Sequence, residues 1–82
     1  MYEIIITRRA SDDLDSIESN TKKRIGEKLK EYAANPHLYS RKLKHSEIGT
    51  FRFQIGDYRV IFDIEDDKLI ILRVGHRKDI YK

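Results

Sequence analysis

Several residue types that stabilise small proteins or build their sites are scarce in this sequence. Its 82 residues include no cysteine, no tryptophan and a single proline. Without cysteine, the chain can form neither disulfides nor thiolate metal sites. Its three histidines, His37, His45 and His76, lack the short spacing of zinc ligands. We therefore expect a fold without cross-links, with no metal site and no cofactor.

Long apolar runs are also missing. The apolar run near the start of the chain ends at Arg8 and Arg9, which gives it the length of a strand. It is too short for the core of a signal peptide or for a membrane span. No proline-, glycine- or serine-rich tract and no internal repeat marks a boundary. We expect one domain over residues 1–82, in the cytoplasm and without a membrane partner.

Charge is abundant instead. Charged residues make up 38% of the chain, against about 25% in average domains. The net charge is only +3, but segment 11–18 is acidic and segment 22–59 is mostly basic. This asymmetry permits a nucleic-acid partner. It is also compatible with basic residues that only solvate a small surface.

The spacing of apolar residues predicts a strand followed by two helices. Residues 2–7 are rich in isoleucine and read as the strand. Ala10, Leu14 and Ile17 share one helical face, with Ser11 as the cap and acidic residues in the first turn. Capping residues 19–21 then begin a second helix, which ends at the Asn-Pro pair 35–36. Its apolar stripe consists of Ile25, Leu29, Tyr32 and Ala33.

The second half of the chain has the period of strands. A linker at 37–49 leads to alternating residues 51–55, a Gly-Asp turn at 56–57, a strand at 58–64, a turn at 66–67 and an apolar strand at 69–74. The last strand is apolar on both sides, which is typical of a central strand. The predicted fold class is α+β, with an N-terminal strand, a two-helix hairpin and a three-stranded antiparallel meander forming one sheet with helices on one face.

The hairpin turn fixes which side chains share a face. With a two-residue loop at 56–57, Gln54 lies opposite Arg59, and Arg52 shares their face. The helices would cover the other face, so this face is expected to be bare. Arginine side chains on it suit phosphate oxygens. Alternatively, Arg52 and Arg59 are solvated, or they pair with Asp63 or an acidic residue of the tail.

The tail continues this cationic character. Gly75 allows the chain to turn as it leaves the sheet, and His76, Arg77 and Lys78 follow at once. Tyr81, the penultimate residue, could fold back over the sheet. The alternative is an ordinary basic tail with an aromatic residue that packs against the body of the protein.

Two segments in this half resemble a known family. The sequences G-T-F-R-F-Q-I-G-D-Y-R-V-I-F at 49–62 and V-G-H-R-K-D-I-Y at 74–81, with K-L-K-H at 42–45, look like the RelE branch of the RelE/ParE toxin superfamily. The order of predicted elements is similar as well, so the resemblance covers nearly the whole chain. The helical part matches only in pattern.

The resemblance implies a toxin of a toxin–antitoxin pair. Such a toxin is a metal-free endoribonuclease that cuts messenger RNA on the ribosome and is silenced by a RelB-like antitoxin. It implies catalytic roles for Arg59, Arg77, Tyr81 and His76. It implies substrate binding by Arg52, Gln54, Lys42 and Lys44.

One residue departs from the family pattern. Gln54 stands where some strongly active RelE ribonucleases have a lysine, and an amide supplies neither charge nor a proton. In the implied reaction the RNA 2′-OH attacks the phosphodiester, so the protein must remove one proton, stabilise charge and protonate the leaving oxygen. Tyr81 and His76 are both candidates for the proton transfers, and the sequence leaves their division open.

Two other function classes remain open at this stage. The ParE branch shares the fold and inhibits DNA gyrase without cutting RNA, and an inactive or weakly active nucleic-acid-binding relative is a third class. The combination of Arg52, Arg59, His76, Arg77 and Tyr81 favours the ribonuclease. A general nucleic-acid-binding module would spread its basic residues along a helix or stripe.

Overall fold

The computed structural model of the protein describes residues 2–44 and 48–80. Its elements in chain order are β1 (Glu3–Ile6), α1 (Arg8–Asp15), α2 (Ser19–Tyr32), α3 (Pro36–Tyr39), β2 (Ser40–Lys42), β3 (Phe51–Ile55), β4 (Tyr58–Glu65) and β5 (Lys68–His76). No helix within these residues is long and apolar enough to cross a membrane.

All five strands belong to one sheet in the order β1-β5-β4-β3-β2. β1 runs parallel to β5, and the other neighbours are antiparallel. The predicted meander is confirmed, and so is the hairpin register that places Gln54 opposite Arg59. Gly56 begins the hairpin turn with a φ of 59°, a left-handed conformation that glycine adopts without steric cost. The apolar strand β5 lies inside the sheet, as its sequence predicts.

The core lies between α1, α2 and one face of the sheet. Alternate residues of β3 and β4 point into it, and Phe53 stacks on Phe62 with ring centroids 4.2 Å apart. The helices contribute the apolar stripes that the sequence predicted. The buried core residues are Ala10, Ile25, Leu29, Ala33, Phe53, Ile55, Val60, Phe62, Leu69, Ile71 and Val74.

Both long helices begin at caps other than the predicted ones. α1 starts at Arg8, and its cap is Thr7, whose side-chain oxygen accepts a hydrogen bond from the Ala10 amide. Ser11 and the acidic residues after it therefore lie inside the helix. α2 is capped by Glu18, whose carboxylate accepts hydrogen bonds from the amides of Asn20 and Thr21. The cap of α2 is therefore Glu18, a charged residue just before the helix, whereas the sequence analysis assigned this role to residues 19–21.

The segment expected to be a linker contains two further elements. Pro36 opens the short helix α3, where proline is favoured because its missing N–H would have no helical partner. β2 then pairs antiparallel with β3, with Arg41 opposite Arg52 and Lys42 opposite Phe51. The sheet therefore has five strands, one more than the N-terminal strand and the three meander strands that the sequence predicted. Three residues of strand are too few to show a clear period in sequence.

The sheet face opposite the helices is partly covered, so the expectation of a bare face is wrong. Ile61 on this face is fully buried. A Cβ added at Gly49 would lie 2.7 Å from Ile61 Cγ2 and 2.8 Å from Leu72 Cδ1, so the segment before β3 packs directly on the sheet. The Thr50 amide donates to Asp63 Oδ1 at 2.7 Å and ties this segment to β4.

Candidate functional site

The sheet face opposite the helices carries a set of polar side chains, which we call the arginine face. Arg52, Gln54 and Arg59 lie on it as the sequence predicted. The structure adds Arg41, which lies directly opposite Arg52 on the neighbouring strand β2. The predicted substrate-binding residue Lys42 is in register with Phe51 and therefore belongs to the other face. Lys44 is exposed in the bend that follows β2.

Arg59 is more deeply placed than a surface arginine. Only 8% of its surface is exposed. Its Nη1 donates hydrogen bonds to the carbonyl oxygens of Gly56, at 3.0 Å, and Tyr58, at 2.9 Å. These bonds hold the guanidinium at the tip of the β3–β4 hairpin. A charged group fixed in this way is already ordered before an anion arrives.

Arg77 reaches the same hairpin tip from the end of β5. Its backbone amide donates to the Asp57 carbonyl oxygen at 2.8 Å, and its Nε lies 3.7 Å from Asp57 Oδ1. Both side chains are more than half exposed, so this ion pair holds Arg77 weakly. The turn at 56–57 thus brings Arg59 and Arg77 together although they are 18 positions apart in the sequence.

His76 lies beside this tip but on the helix side of the sheet. It is in register with Tyr58, and the two rings meet edge to face with centroids 5.5 Å apart. The Lys78 amide donates to His76 Nδ1 at 3.1 Å. Because Nδ1 accepts this hydrogen bond, the neutral imidazole carries its proton on Nε2. In that form His76 can donate a hydrogen bond from Nε2, and it must first take up a second proton before it can act as an acid.

A groove of about 300 Å³ runs beside the end of β5, beyond the last residue of β1. Here α1 replaces the missing neighbour strand. Asp13 Oδ2 accepts hydrogen bonds from the Val74 amide, at 3.0 Å, and from Arg73 Nε, at 2.8 Å. Asp13 and Arg73 therefore close this edge of the sheet and position one wall of the groove. Tyr58 and His76 also line the groove.

The predicted catalytic residue Tyr81 lies outside the described residues, and its role stays a prediction. The last described residue, Ile80, is 2% exposed. A Cβ added at Gly75 would lie 3.3 Å from Ile80 Cδ1, so the tail folds back onto the end of β5. Gly75 is the register partner of Arg59. Ile80 is therefore a packing residue of the tail, and the sequence analysis did not single it out.

Two further arginines near the candidate site were missed from the sequence. Arg41 was missed because β2 was read as a linker. Arg24 was missed because it lies on α2, but a Cβ added at Gly56 would lie 3.6 Å from both of its terminal nitrogens. The hairpin tip is therefore flanked by Arg24, Arg59 and Arg77. The basic composition of segment 22–59 is the sequence signal that includes Arg24 and Arg41.

Metal ligands are not grouped in the described part of the chain. Across residues 2–44 and 48–80, no three histidine, aspartate or glutamate side chains are placed to hold one metal ion. The polar side chains that do gather at the hairpin tip are mainly cations. Such a group can bind an anion and stabilise negative charge that develops on it.

This fold and its cationic tip define a class of protein, the RelE-like toxins. The structure superimposes with a TM-score of 0.84 on a chain of the toxin–antitoxin complex RelBE2 from Mycobacterium tuberculosis, at 28% identity, covering 93% of this chain and 98% of that one. The sequence is 30% identical to the toxin RelG of the same organism, over 99% of this chain and 97% of RelG. It is 28% identical to the toxin RelE3 of Methanocaldococcus jannaschii, covering 96% and 94% of the two chains.

A family model agrees with these relatives. The model of the ParE toxin of type II toxin–antitoxin systems matches residues 4–81. The chain belongs to this toxin family, and the similar proteins named above carry the names of its RelE branch. The resemblance found in the sequence is thereby confirmed.

Proposed function

We propose that this toxin is a ribosome-dependent endoribonuclease that cuts messenger RNA without a metal ion and so inhibits translation in the cytoplasm. The observation that carries the proposal is the position of Arg59, Arg77 and His76 around one hairpin tip. Two guanidinium groups there can contact phosphate oxygens, and an imidazole beside them can donate a proton.

The reaction needs no nucleophile from the protein, because RNA supplies its own 2′-OH. As the 2′-oxygen bonds to phosphorus, Arg59 and Arg77 stabilise the charge on the phosphorane. The bond to the 5′-oxygen then breaks, leaving a cyclic phosphate and a 5′-hydroxyl group. His76 protonates the leaving oxygen from Nε2 in its imidazolium form, in which Nδ1 also carries a proton and no longer accepts the hydrogen bond from the Lys78 amide. Tyr81, which follows Ile80 in the sequence, removes the 2′-proton.

Gln54 limits the rate in this mechanism. It is exposed and lies directly opposite Arg59, so a cation at this position would lie beside the phosphate that Arg59 contacts. We expect Gln54→Lys to raise the single-turnover rate of cleavage. An unchanged or lower rate in the variant would show that the site does not need a charge there.

The partner that controls this activity is a RelB-like antitoxin. The solved structures that resemble this chain include toxin–antitoxin complexes from bacteria and archaea. A free nuclease of this kind would stop translation in its own host. An antitoxin segment that folds as it binds would cover the cationic tip with acidic and apolar residues.

The test of the proposal is primer extension on a message loaded on ribosomes, with and without the toxin. We expect cuts that require the ribosome and that are lost in Arg59→Ala and Tyr81→Phe, both prepared at equal folded concentration. Tyr81→Phe keeps the ring and removes one hydroxyl, so it should slow the chemical step by about 10²–10⁴. Full activity of Tyr81→Phe would remove Tyr81 from the chemistry.

The family model also names the ParE branch, which makes gyrase the alternative target. The same preparation should therefore be added to a DNA supercoiling assay with gyrase. Inhibition of supercoiling, combined with intact message on the ribosome, would replace the nuclease with a gyrase-binding toxin. We expect the opposite pair of results.

A further inference from the structure

The edge strand β2 adds a cation to the arginine face that the family pattern does not require. Ser40 and Lys42 are in register with Phe53 and Phe51, whose rings face the helices. Side chains alternate along a strand, so Arg41 between them faces the other way. It lies directly opposite Arg52, and its side chain is exposed.

Among the described residues, Arg41 has no acidic partner. Within residues 2–44 and 48–80, no carboxylate oxygen lies within 4.0 Å of the Arg41 guanidinium. Asp63, an acid on the same face, instead accepts the hydrogen bond from the Thr50 amide. Arg41 therefore adds a second guanidinium group directly opposite Arg52 on the same face.

Arg41 and Arg59 lie on the same face but on different strands. Neighbouring strands are about 4.8 Å apart, so β2 and β4 are separated by roughly 10 Å. A strand of nucleic acid that crosses β2, β3 and β4 would bring one phosphate to Arg59 and another to Arg41. The side chains that face the ligand beside Arg41 on β3, Arg52 and Gln54, are polar, which suits a phosphate backbone better than the apolar centre of a protein interface.

We propose that Arg41 is a substrate-binding residue that contacts a backbone phosphate of single-stranded RNA next to the scissile one. The inference rests on the proposed nuclease function and extends its site to the edge of the sheet. The guanidinium fork binds phosphate oxygens in pairs, and such a contact fixes the position of the strand without reading its bases. Arg41 therefore increases affinity for RNA and takes no part in the chemical step.

The first test measures binding to an uncleavable RNA. A short single-stranded oligoribonucleotide, 2′-O-methylated at every position, is titrated by fluorescence anisotropy over a range of salt concentrations. Arg41→Gln should raise Kd about fourfold at physiological ionic strength and reduce the dependence of log K on log salt by about 0.7, the value for one phosphate contact in a single strand. Arg41→Lys keeps the charge and should keep the salt dependence.

The matched control is Arg8→Gln. Arg8 is also exposed, but it follows β1 at the opposite edge of the sheet. The substitution Arg8→Gln removes the same charge from the protein as Arg41→Gln, so a general electrostatic effect on RNA binding would appear in both variants. We expect Arg8→Gln to bind the RNA like the parent. Equal weakening in the two variants would overturn the assignment of a local contact to Arg41.

The second test separates binding from chemistry on programmed ribosomes. In single-turnover cleavage, Arg41→Gln should raise the half-saturating concentration severalfold and leave the maximal rate unchanged. If the parent cuts RNA and Arg41→Gln matches it in both assays, the inference fails and the nuclease stands. If the parent binds the oligonucleotide through Arg41 but cuts nothing, the nuclease fails and the phosphate contact is supported. If Arg41→Gln weakens only the complex with an antitoxin, the surface belongs to a protein partner and the inference is overturned.

Discussion

The two faces of the sheet are built in opposite ways. The face toward α1 and α2 is closed by apolar side chains, and Phe53, Val60 and Phe62 on it are fully buried. Among the described residues, the segment around Gly49 covers the arginine face near Ile61 and Leu72. Elsewhere this face exposes polar side chains such as Arg41 and Gln54. Adjacent residues of one strand therefore belong to surfaces with different tasks.

The difference teaches that stability and activity can be altered separately along the same strand. Burial of apolar area supplies most of the free energy of folding, so the helix-covered face determines whether the chain folds. Cations on the arginine face bury little apolar area. The contribution of these cations to a reaction or to binding depends on how firmly the structure holds them in place.

Substitutions at two neighbouring residues of β3 should show the largest difference in stability between the two faces. Phe53→Ala removes a fully buried ring that stacks on Phe62, and we expect it to reduce the free energy of unfolding by about 3–5 kcal/mol. Gln54→Ala on the exposed side should change it by less than about 0.5 kcal/mol. Urea denaturation at neutral pH measures both. Similar losses in the two variants would contradict the division between the faces, and Phe53→Leu provides a milder variant if Phe53→Ala does not fold.

A second pair of variants tests whether Arg59 and Arg77, the two arginines proposed to be catalytic, are held differently. Arg59→Ala leaves the carbonyl oxygens of Gly56 and Tyr58 without their donor, and should cost about 1–3 kcal/mol of stability in addition to the loss of activity. Arg77→Ala removes only an exposed ion pair, so its cost should stay below about 1 kcal/mol. Both variants should lose cleavage. An Arg59→Ala variant as stable as the parent would mean that the buried guanidinium does not support the hairpin.

Two glycine-to-alanine substitutions compare how tightly the chain is packed on the two sides of the sheet. Each substitution adds one methyl group, one in the segment before β3 and the other on α2. In Gly49→Ala the new Cβ would meet Ile61 and Leu72 at less than 3 Å, and overpacking of this kind typically costs about 1–3 kcal/mol. Gly26→Ala on α2 meets nothing within 4 Å, and alanine in place of glycine stabilises a helix by about 0.5–1 kcal/mol. Thermal denaturation should therefore shift in opposite directions. A stabilised Gly49→Ala would show that the chain at Gly49 does not pack on the sheet.

The sequence predicted the parts of the fold that have a strong period. Alternation along β3 and β4 and the Gly-Asp turn gave the register between Gln54 and Arg59, because a two-residue loop leaves few choices. The helical stripes predicted Ile25 and Leu29 as core residues, because their apolar side chains recur with the period of a helix. These features depend on contacts near in sequence, or on a pattern repeated over several residues.

The parts that were not predicted depend on tertiary context. β2 has only three residues, and its pairing with β3 becomes visible only in the folded sheet. The burial of Arg59 follows from two carbonyl oxygens that the turn presents to it. Asp13 was read as a first-turn residue of the helix, whereas its carboxylate completes the edge of β5. No local pattern encodes contacts between residues about 60 positions apart.

The smallest expected change in stability comes from a substitution at the start of α2, which lies in the helix layer away from the arginine face. The amides of Asn20 and Thr21 donate hydrogen bonds to Glu18 at 3.1 and 3.2 Å. These bonds, the one from Asn20 first, hold the pKa of Glu18 below its ordinary value. A carboxylate whose pKa is lower in the folded state stabilises the fold at pH values above its unfolded pKa. The contribution is lost as pH falls through the folded pKa.

The variant that measures this contribution is Glu18→Gln, which keeps an acceptor oxygen and removes the charge. It should be slightly less stable than the parent at neutral pH, and the difference should shrink as the pH is lowered below about 4.5, the ordinary pKa of a glutamate. Urea denaturation at neutral and acidic pH gives both values. Cleavage by the folded variant should equal that of the parent, because Glu18 caps α2 and is not among the residues at the hairpin tip. A difference in stability that is constant down to acidic pH would mean that the charge of Glu18 does not stabilise α2, and lost cleavage would mean that Glu18 also contributes to the activity.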